Sequence, residues 1–393
     1  MNKKKAIFLI VPFLIITFSI GIINLLIEDK EMSKAENRNL QKMPTIQNIK
    51  EKNFTRLFDT YYTDQFLFRD LFIKADIKWQ LFTKKSNIKG FYITDDNWIM
   101  GGTETTKKTN SDYENTVNKI KNIECKVKES NKKFYYTSLP HKVNTLTFKY
   151  PKKYVESFGM ENHELFLSML KDEEIDVIDV GKYFLNKFDK DKLEDFYFKT
   201  DHHWNAKGTY EAFRYIIDDL NDKKEININL NDYNYKTDYV EGKEFLGSYN
   251  KNLYGLFSKE ETVPYVYMDR KYNNKYYIRE DGKFKEVDEK NIFASGIYKS
   301  EINYESAYMA NIGYCKVVNN DAKTDKKIML IRDSYQAPLT LLLSDIFEEV
   351  EIVDLRMADM KLNDIIENSD SDMVMMMFNN GLNVDEMLSN IKR

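Results

Sequence analysis

Cysteine is scarce, with only Cys125 and Cys315 in a chain of 393 residues. The pair fits no metal-ligand spacing and allows at most one long-range disulfide, so both read as ordinary buried thiols rather than as staples or ligands. An excess of either charge is missing too. With 59 Lys and Arg against 63 Asp and Glu, and a formal net charge of -4, the chain offers no positive field to hold a polyanion, and a nucleic-acid partner is not expected. Histidine and tryptophan are also rare, at four and three residues, so where they fall carries information.

What is present is a chain able to bury a large core: 42% of residues are hydrophobic and 14% aromatic, which suits one large domain or a domain with an insertion. The N-terminus is distinct. After Lys3, Lys4 and Lys5, the 22 residues from Ala6 to Ile27 include no charged side chain. As a helix they span about 33 Å, enough to cross a bilayer. Glu28-Asp29-Lys30-Glu31 follows directly and resembles no signal-peptide cleavage site, so an uncleaved anchor is expected rather than a buried core helix. Lysines before the span and acidic residues after it place the short N-terminus in the cytoplasm and the rest of the chain outside.

The pattern predicts a cytoplasmic N-terminus and transmembrane anchor over 1–29 and a juxtamembrane linker over 30–50. One or two amphipathic helices follow between Asn53 and Phe82, and a hairpin is expected over Phe91 to Met100. From about Tyr113, helices alternate with short apolar strands at Phe134 to Leu139 and Ile175 to Val180. The alternation resumes at Ile328 to Arg332, Val350 to Leu355 and Met373 to Phe378. Such alternation implies an α/β fold with a parallel sheet covered on both faces. The α/β domain is then expected in two parts, 51–221 and 323–393, separated by a Tyr-, Asn- and Lys-rich stretch over 222–322 that reads as a β-rich insertion or lid.

Asp201-His202-His203-Trp204 holds half of the histidines and one of the tryptophans. An acid beside imidazoles is poor core material, because each polar group needs a buried partner, but it suits proton handling. In open α/β sheets the ligand crevice lies beyond the carboxyl ends of the strands. Ser334, two residues after the strand ending at Arg332 and just before a helix, falls at that rim and is a candidate nucleophile. Asn379 and Asn380, directly after a strand, could donate to an oxyanion, or could be only a turn. His141 and Lys142 belong to the same rim. If residues 201–203 are extended, Asp201 and His203 share a side and His202 points away. Asp201 would then orient His203, and His203 would take the Ser334 proton. Adjacent histidines could also bind a metal, but no second ligand cluster lies at suitable spacing, so no metal is expected. Trp204 reads as packing.

Lys199-Thr200-Asp201-His202-His203-Trp204-Asn205, followed by Gly208, resembles the signature of the DHHW family, related to the alginate O-acetyltransferase branch of SGNH hydrolases. Glu36-Asn37-Arg38 with Pro44, Asp64-Gln65-Phe66 with Arg69-Asp70, Pro140-x-Lys142, Arg332-Asp333-Ser334-Tyr335 and Val353-Asp354-Leu355-Arg356 occur in that family's order. The resemblance implies an extracytoplasmic SGNH-hydrolase-like domain whose acid and base precede the nucleophile, with Ser334 as nucleophile, His203 as base and Asp201 as orienting acid. Where relatives carry Gly before Asp-Ser, this chain has Arg332. Asn379, Asn380, Arg332, Tyr335, Lys142 and His202 are the remaining candidates for oxyanion or substrate contacts.

The function implied is an anchored O-acetyltransferase or acetylesterase acting on a cell-envelope or exported polysaccharide through an acetyl-serine. It needs no cofactor and works beside a multi-pass membrane acyltransferase. The competing expectation is a non-catalytic glycan-binding or scaffold subunit, motivated by Arg332 and by the 27 tyrosines and 25 phenylalanines.

Overall fold

A computed structural model describes residues 3–36, 38–151, 157–270 and 272–389. Asn37 of the Glu36-Asn37-Arg38 motif, the first two residues and the last four lie outside that set. The chain divides into two compact units, one of residues 1–89 with 250–257 and one of 90–249 with 258–393. The boundary between them falls near residue 89.

The first unit is helical. Its long helices are α1 (Lys3–Leu26), α2 (Phe54–Asp64) and α3 (Arg69–Phe82). The expected membrane span thus forms a single helix, but several of its side chains lie outside the described set, and among the described residues no helix is long and apolar enough to cross a membrane. Two of the family-like motifs close on each other in this unit. Arg38 donates Nη1 and Nη2 to Asp64 at 2.8 and 2.6 Å, and Arg69 Nη2 reaches both Glu36 oxygens at 2.9 Å. Tyr254 Oη donates to Glu36 at 3.0 Å. The Arg38 hydrogen bonds outweigh burial and hold Asp64 below the usual carboxylate range. These motifs brace the unit and do not form a reactive site.

The second unit is built on an eight-stranded sheet. In chain order its strands are β1 (Lys133–Leu139), β2 (Val177–Asp179), β3 (Asn274–Glu280), β4 (Lys283–Val287), β5 (Tyr314–Asn319), β6 (Lys327–Arg332), β7 (Glu349–Asp354) and β8 (Met373–Asn379). Their spatial order is β4-β3-β5-β7-β6-β8-β1-β2. The five strands from β7 to β2 are mutually parallel, and β5, β3 and β4 extend that edge antiparallel. Placing β1 and β2 after β8 would turn the parallel part into the doubly wound order 2-1-3-4-5. The chain is therefore a permuted version of that topology, which is why an acid and a base can precede a nucleophile. The 222–322 stretch is not set apart as a lid, because it supplies β3, β4 and β5 to the main sheet.

Both faces of the parallel strands are apolar. Ile328 and Leu330 belong to one buried cluster, while Met329 and Ile331 belong to the other, as period-2 alternation requires. One face is covered by Ala206–Asp222 and Ala337–Ser344, the other by Asn110–Glu129, Gly159–Asp172 and Leu362–Asn368. Both cysteines are free. Cys315 is buried as expected, but Cys125 is exposed, because it sits on the solvent side of an amphipathic helix.

Candidate active site

The loops after β1, β6 and β8 meet beyond the carboxyl ends of the parallel strands. Ser334 opens a short 3-10 turn after β6, capped by Asp333, whose Oδ1 accepts the Tyr335 N–H at 2.8 Å. Its partner arrives from the Asp201 block. His203 Nε2 lies 2.8 Å from Ser334 Oγ, and His203 Nδ1 lies 2.7 Å from Asp201 Oδ1. The Asp201 carboxylate also accepts the backbone N–H groups of His203, at 2.9 Å, and Ser248, at 2.5 Å. Burial acts to raise the Asp201 pKa, but the charge and hydrogen bond of His203, the nearby His202 and the Ser248 N–H outweigh it and hold the carboxyl well below its ordinary value. An ionised Asp201 fixes the proton on Nδ1 and leaves Nε2 to accept from the Ser334 hydroxyl. The His203 ring stacks on Tyr304 at 3.7 Å and 5°, which fixes its plane.

Residues 201–203 form a bend rather than an extended strand, so His202 does not point away. Its ring lies 3.7 Å from that of His203, with Nδ1 at 2.6 Å from Ser248 Oγ. Burial and the adjacent His203 push the His202 pKa well down, so it stays neutral. Ligand atoms of Asp201, His202 and His203 lie within 4.8 Å of one another. Both His203 nitrogens and His202 Nδ1 are already engaged in these hydrogen bonds, and a metal would have to break them.

Lys142 is fully buried, and its Nζ donates to three carbonyls: Ile99 at 2.8 Å, Asp201 at 2.9 Å and Lys199 at 3.0 Å. Burial brings its pKa down to about 7. It grips the backbone of the acid-histidine block and does not face a ligand. Tyr335, also buried, donates its hydroxyl to the His202 carbonyl and accepts the Lys142 N–H at 3.2 Å, while its own carbonyl takes Trp204 Nε1 at 2.8 Å. Trp204 is thus packing that also donates one hydrogen bond.

Three further candidates are placed differently from expectation. Arg332 is fully buried, with its guanidinium 3.4 Å from the Ala310 carbonyl and 3.9 Å from Asp354, so its charge is engaged inside the fold. Asn379 gives both its backbone N–H and its Nδ2 to Asp333 Oδ2, at 2.8 and 2.7 Å, so its amide braces the turn that carries Ser334. Asn380 Oδ1 accepts the His141 N–H at 2.8 Å. The backbone N–H of Ser334, first in its turn, has no acceptor inside that turn. Beside this rim, a cavity of about 450 Å³ is lined by His141, Asn144, His163 and Asn380 among others.

Ser248, Tyr304 and Glu261 were not singled out from sequence. Glu261 accepts from the backbone N–H groups of Lys199 and Thr200, the latter at 3.1 Å, and from the Thr200 hydroxyl at 2.7 Å. One signal was readable: at Gly247 a Cβ would come within 2.3 Å of the Thr200 carbonyl oxygen, so only glycine lets Ser248 approach Asp201.

A family model described as SGNH hydrolase-like domain, acetyltransferase AlgX, matches residues 91–301, more than half of the chain. The chain belongs to that family. Ser334 lies beyond the matched segment. Among solved structures, Bacillus cereus PatB1 is 25% identical with a TM-score of 0.64, over 73% of this chain and 95% of that one. PatB1 with a sulfonyl adduct gives 23% identity and a TM-score of 0.64, over 76% and 99%. A DHHW family protein from Eubacterium siraeum gives 20% and 0.55, over 78% and 97%. No curated protein matches the chain.

Proposed function

We propose that this chain is an O-acetyltransferase or acetylesterase that acts on a cell-envelope or exported polysaccharide through an acetyl-Ser334 intermediate. The observation that carries the reading is the run of hydrogen bonds from Asp201 through His203 to Ser334, at 2.7 and 2.8 Å. His203 Nε2 takes the hydroxyl proton as Ser334 Oγ attacks the acetyl carbonyl carbon, and Asp201 steadies the imidazolium. The oxyanion turns toward the Ser334 N–H. His203 returns the proton to the departing oxygen, leaving the acetyl group on Ser334. A sugar hydroxyl, or water, then gives its proton to His203 and attacks the ester, which restores the serine. General-base action of this kind contributes about 10²- to 10⁴-fold in rate.

Membership of the AlgX family supports transfer to a polysaccharide, with a multi-pass membrane acyltransferase as the acetyl source. The uncharged run Ala6–Ile27 supports a single-pass anchor with the catalytic unit outside the cell. Apolar side chains exposed along α1, among them Phe8, Phe13 and Phe18, fit that placement. The purified full chain is expected to release nitrophenol from its acetate ester, and Ser334→Ala to abolish the release. Equal silence of both across aryl esters and acetylated sugars would favour the non-catalytic scaffold instead.

A further inference from the structure

Helix α3 carries apolar residues on two opposite sides. Ile73 and Ile77 turn inward, and Ile77 is fully buried. On the other side Phe68, Leu71, Phe72, Ala75, Trp79 and Phe82 are all exposed. At 3.6 residues per turn these six fall within an arc of about 100°, with Lys78 and Lys74 beyond one edge and Asp76 and Gln80 beyond the other. A stripe of large aromatic side chains left exposed among the described residues marks an interaction surface.

Its position points to the occupant. The backbone N–H of Leu67, just before α3, donates to Asn24 Oδ1 at 2.7 Å, so α3 begins at the last turn of α1. On the anchor reading given above, that turn lies at the bilayer surface. We propose that α3 lies in the membrane interface as a second contact, with its aromatic stripe among the acyl chains and Lys74 and Lys78 against anionic headgroups. Aromatic residues and flanking lysines are the side chains favoured at that depth. Such a contact would hold the chain to the lipid surface at two points and limit its swing about a single span.

The tryptophans provide the test. Trp79 is 64% exposed, whereas Trp98 and Trp204 are 2% and 0% exposed, and α1 contains none. The full chain would be reconstituted into phosphatidylcholine–phosphatidylglycerol vesicles with plain or brominated acyl chains. The proposal expects bromination to quench part of the tryptophan emission and expects Trp79→Phe to lose that bromine-sensitive part. A Leu71→Glu, Phe72→Glu variant should keep carbonate-resistant vesicle binding and lose the quenching. Equal emission in both lipids from a chain that resists carbonate extraction would overturn the interfacial helix, leave the anchor standing and point to a protein covering the stripe. Extraction by carbonate would overturn the anchor and the interfacial helix together.

Discussion

Replacing Lys142 with methionine keeps the length of a fully buried side chain and removes its three N–H donors. Hydrogen bonds from a charged group are worth about 1.5–3 kcal/mol each. The Lys199 carbonyl keeps the Ile99 N–H at 3.0 Å, so the loss concentrates on the Ile99 and Asp201 carbonyls. Against this stands relief from burying a cation whose pKa has fallen to about 7 through desolvation. The net cost in stability is then about 1–3 kcal/mol. Activity should suffer more, because the Asp201 carbonyl is gripped next to the carboxylate that orients His203, and a displacement of about 1 Å there costs on the order of 10²-fold in rate. Ester hydrolysis by Lys142→Met should show that loss in kcat with KM little changed, together with a Tm lower by a few degrees. The half-buried Glu261 shares the Lys142 field, so adding Glu261→Gln should cost less than the sum of the two single changes. A kcat within about twofold of the parent would refute the positioning role, and a loss confined to KM would mean that the lysine touches substrate.

Three other outcomes follow. Asp201→Asn should keep the fold yet lower kcat by about 10²- to 10⁴-fold, because the Nδ1 proton and the imidazolium lose their anionic partner; rates and circular dichroism check both halves. Asp345 is buried, with its pKa raised to about 7 by desolvation, so the folded state keeps a proton that the unfolded chain releases from about pH 4 upward. Stability should therefore fall as pH rises from about 4 through 7, and Asp345→Asn should flatten that part of a Tm-against-pH curve. Asp64→Asn should destabilise the helical first unit by about 1–3 kcal/mol, seen as faster amide exchange in α2 and α3, because it breaks the paired hydrogen bonds from Arg38 while leaving that arginine half in water.

The local elements were legible because their signals are local. Alternation of apolar helices and strands is a periodicity, and Ser334 and His141 follow strands, which in a parallel sheet places them at one rim. The 222–322 stretch was harder, since β3 and β5 pair with each other and β5 with β7, across sequence gaps that no short-range pattern marks. Its antiparallel, half-exposed strands look alike whether they form a lid or a sheet edge. The same distance hid Ser248, Glu261 and Tyr304, whose partners lie some forty to a hundred residues away in the chain. For Asn379 and Arg332 the position after or within a strand was right, but position does not give direction. The Asn379 amide faces Asp333, and the Arg332 guanidinium is taken up by the Ala310 carbonyl and Asp354. The Asp201–His203 pairing was expected from an extended segment and is made by a bend, so the pair was right and its geometry was not.

On the function proposed, Ser334 Oγ is activated by the His203 ring. Treating the purified full chain with methanesulfonyl fluoride and reading intact and peptide masses tests it directly. One sulfonyl group is expected on the peptide containing Ser334, with no adduct in Ser334→Ala and strongly slowed labelling in His203→Ala. No adduct, or an adduct that persists in Ser334→Ala, would contradict it.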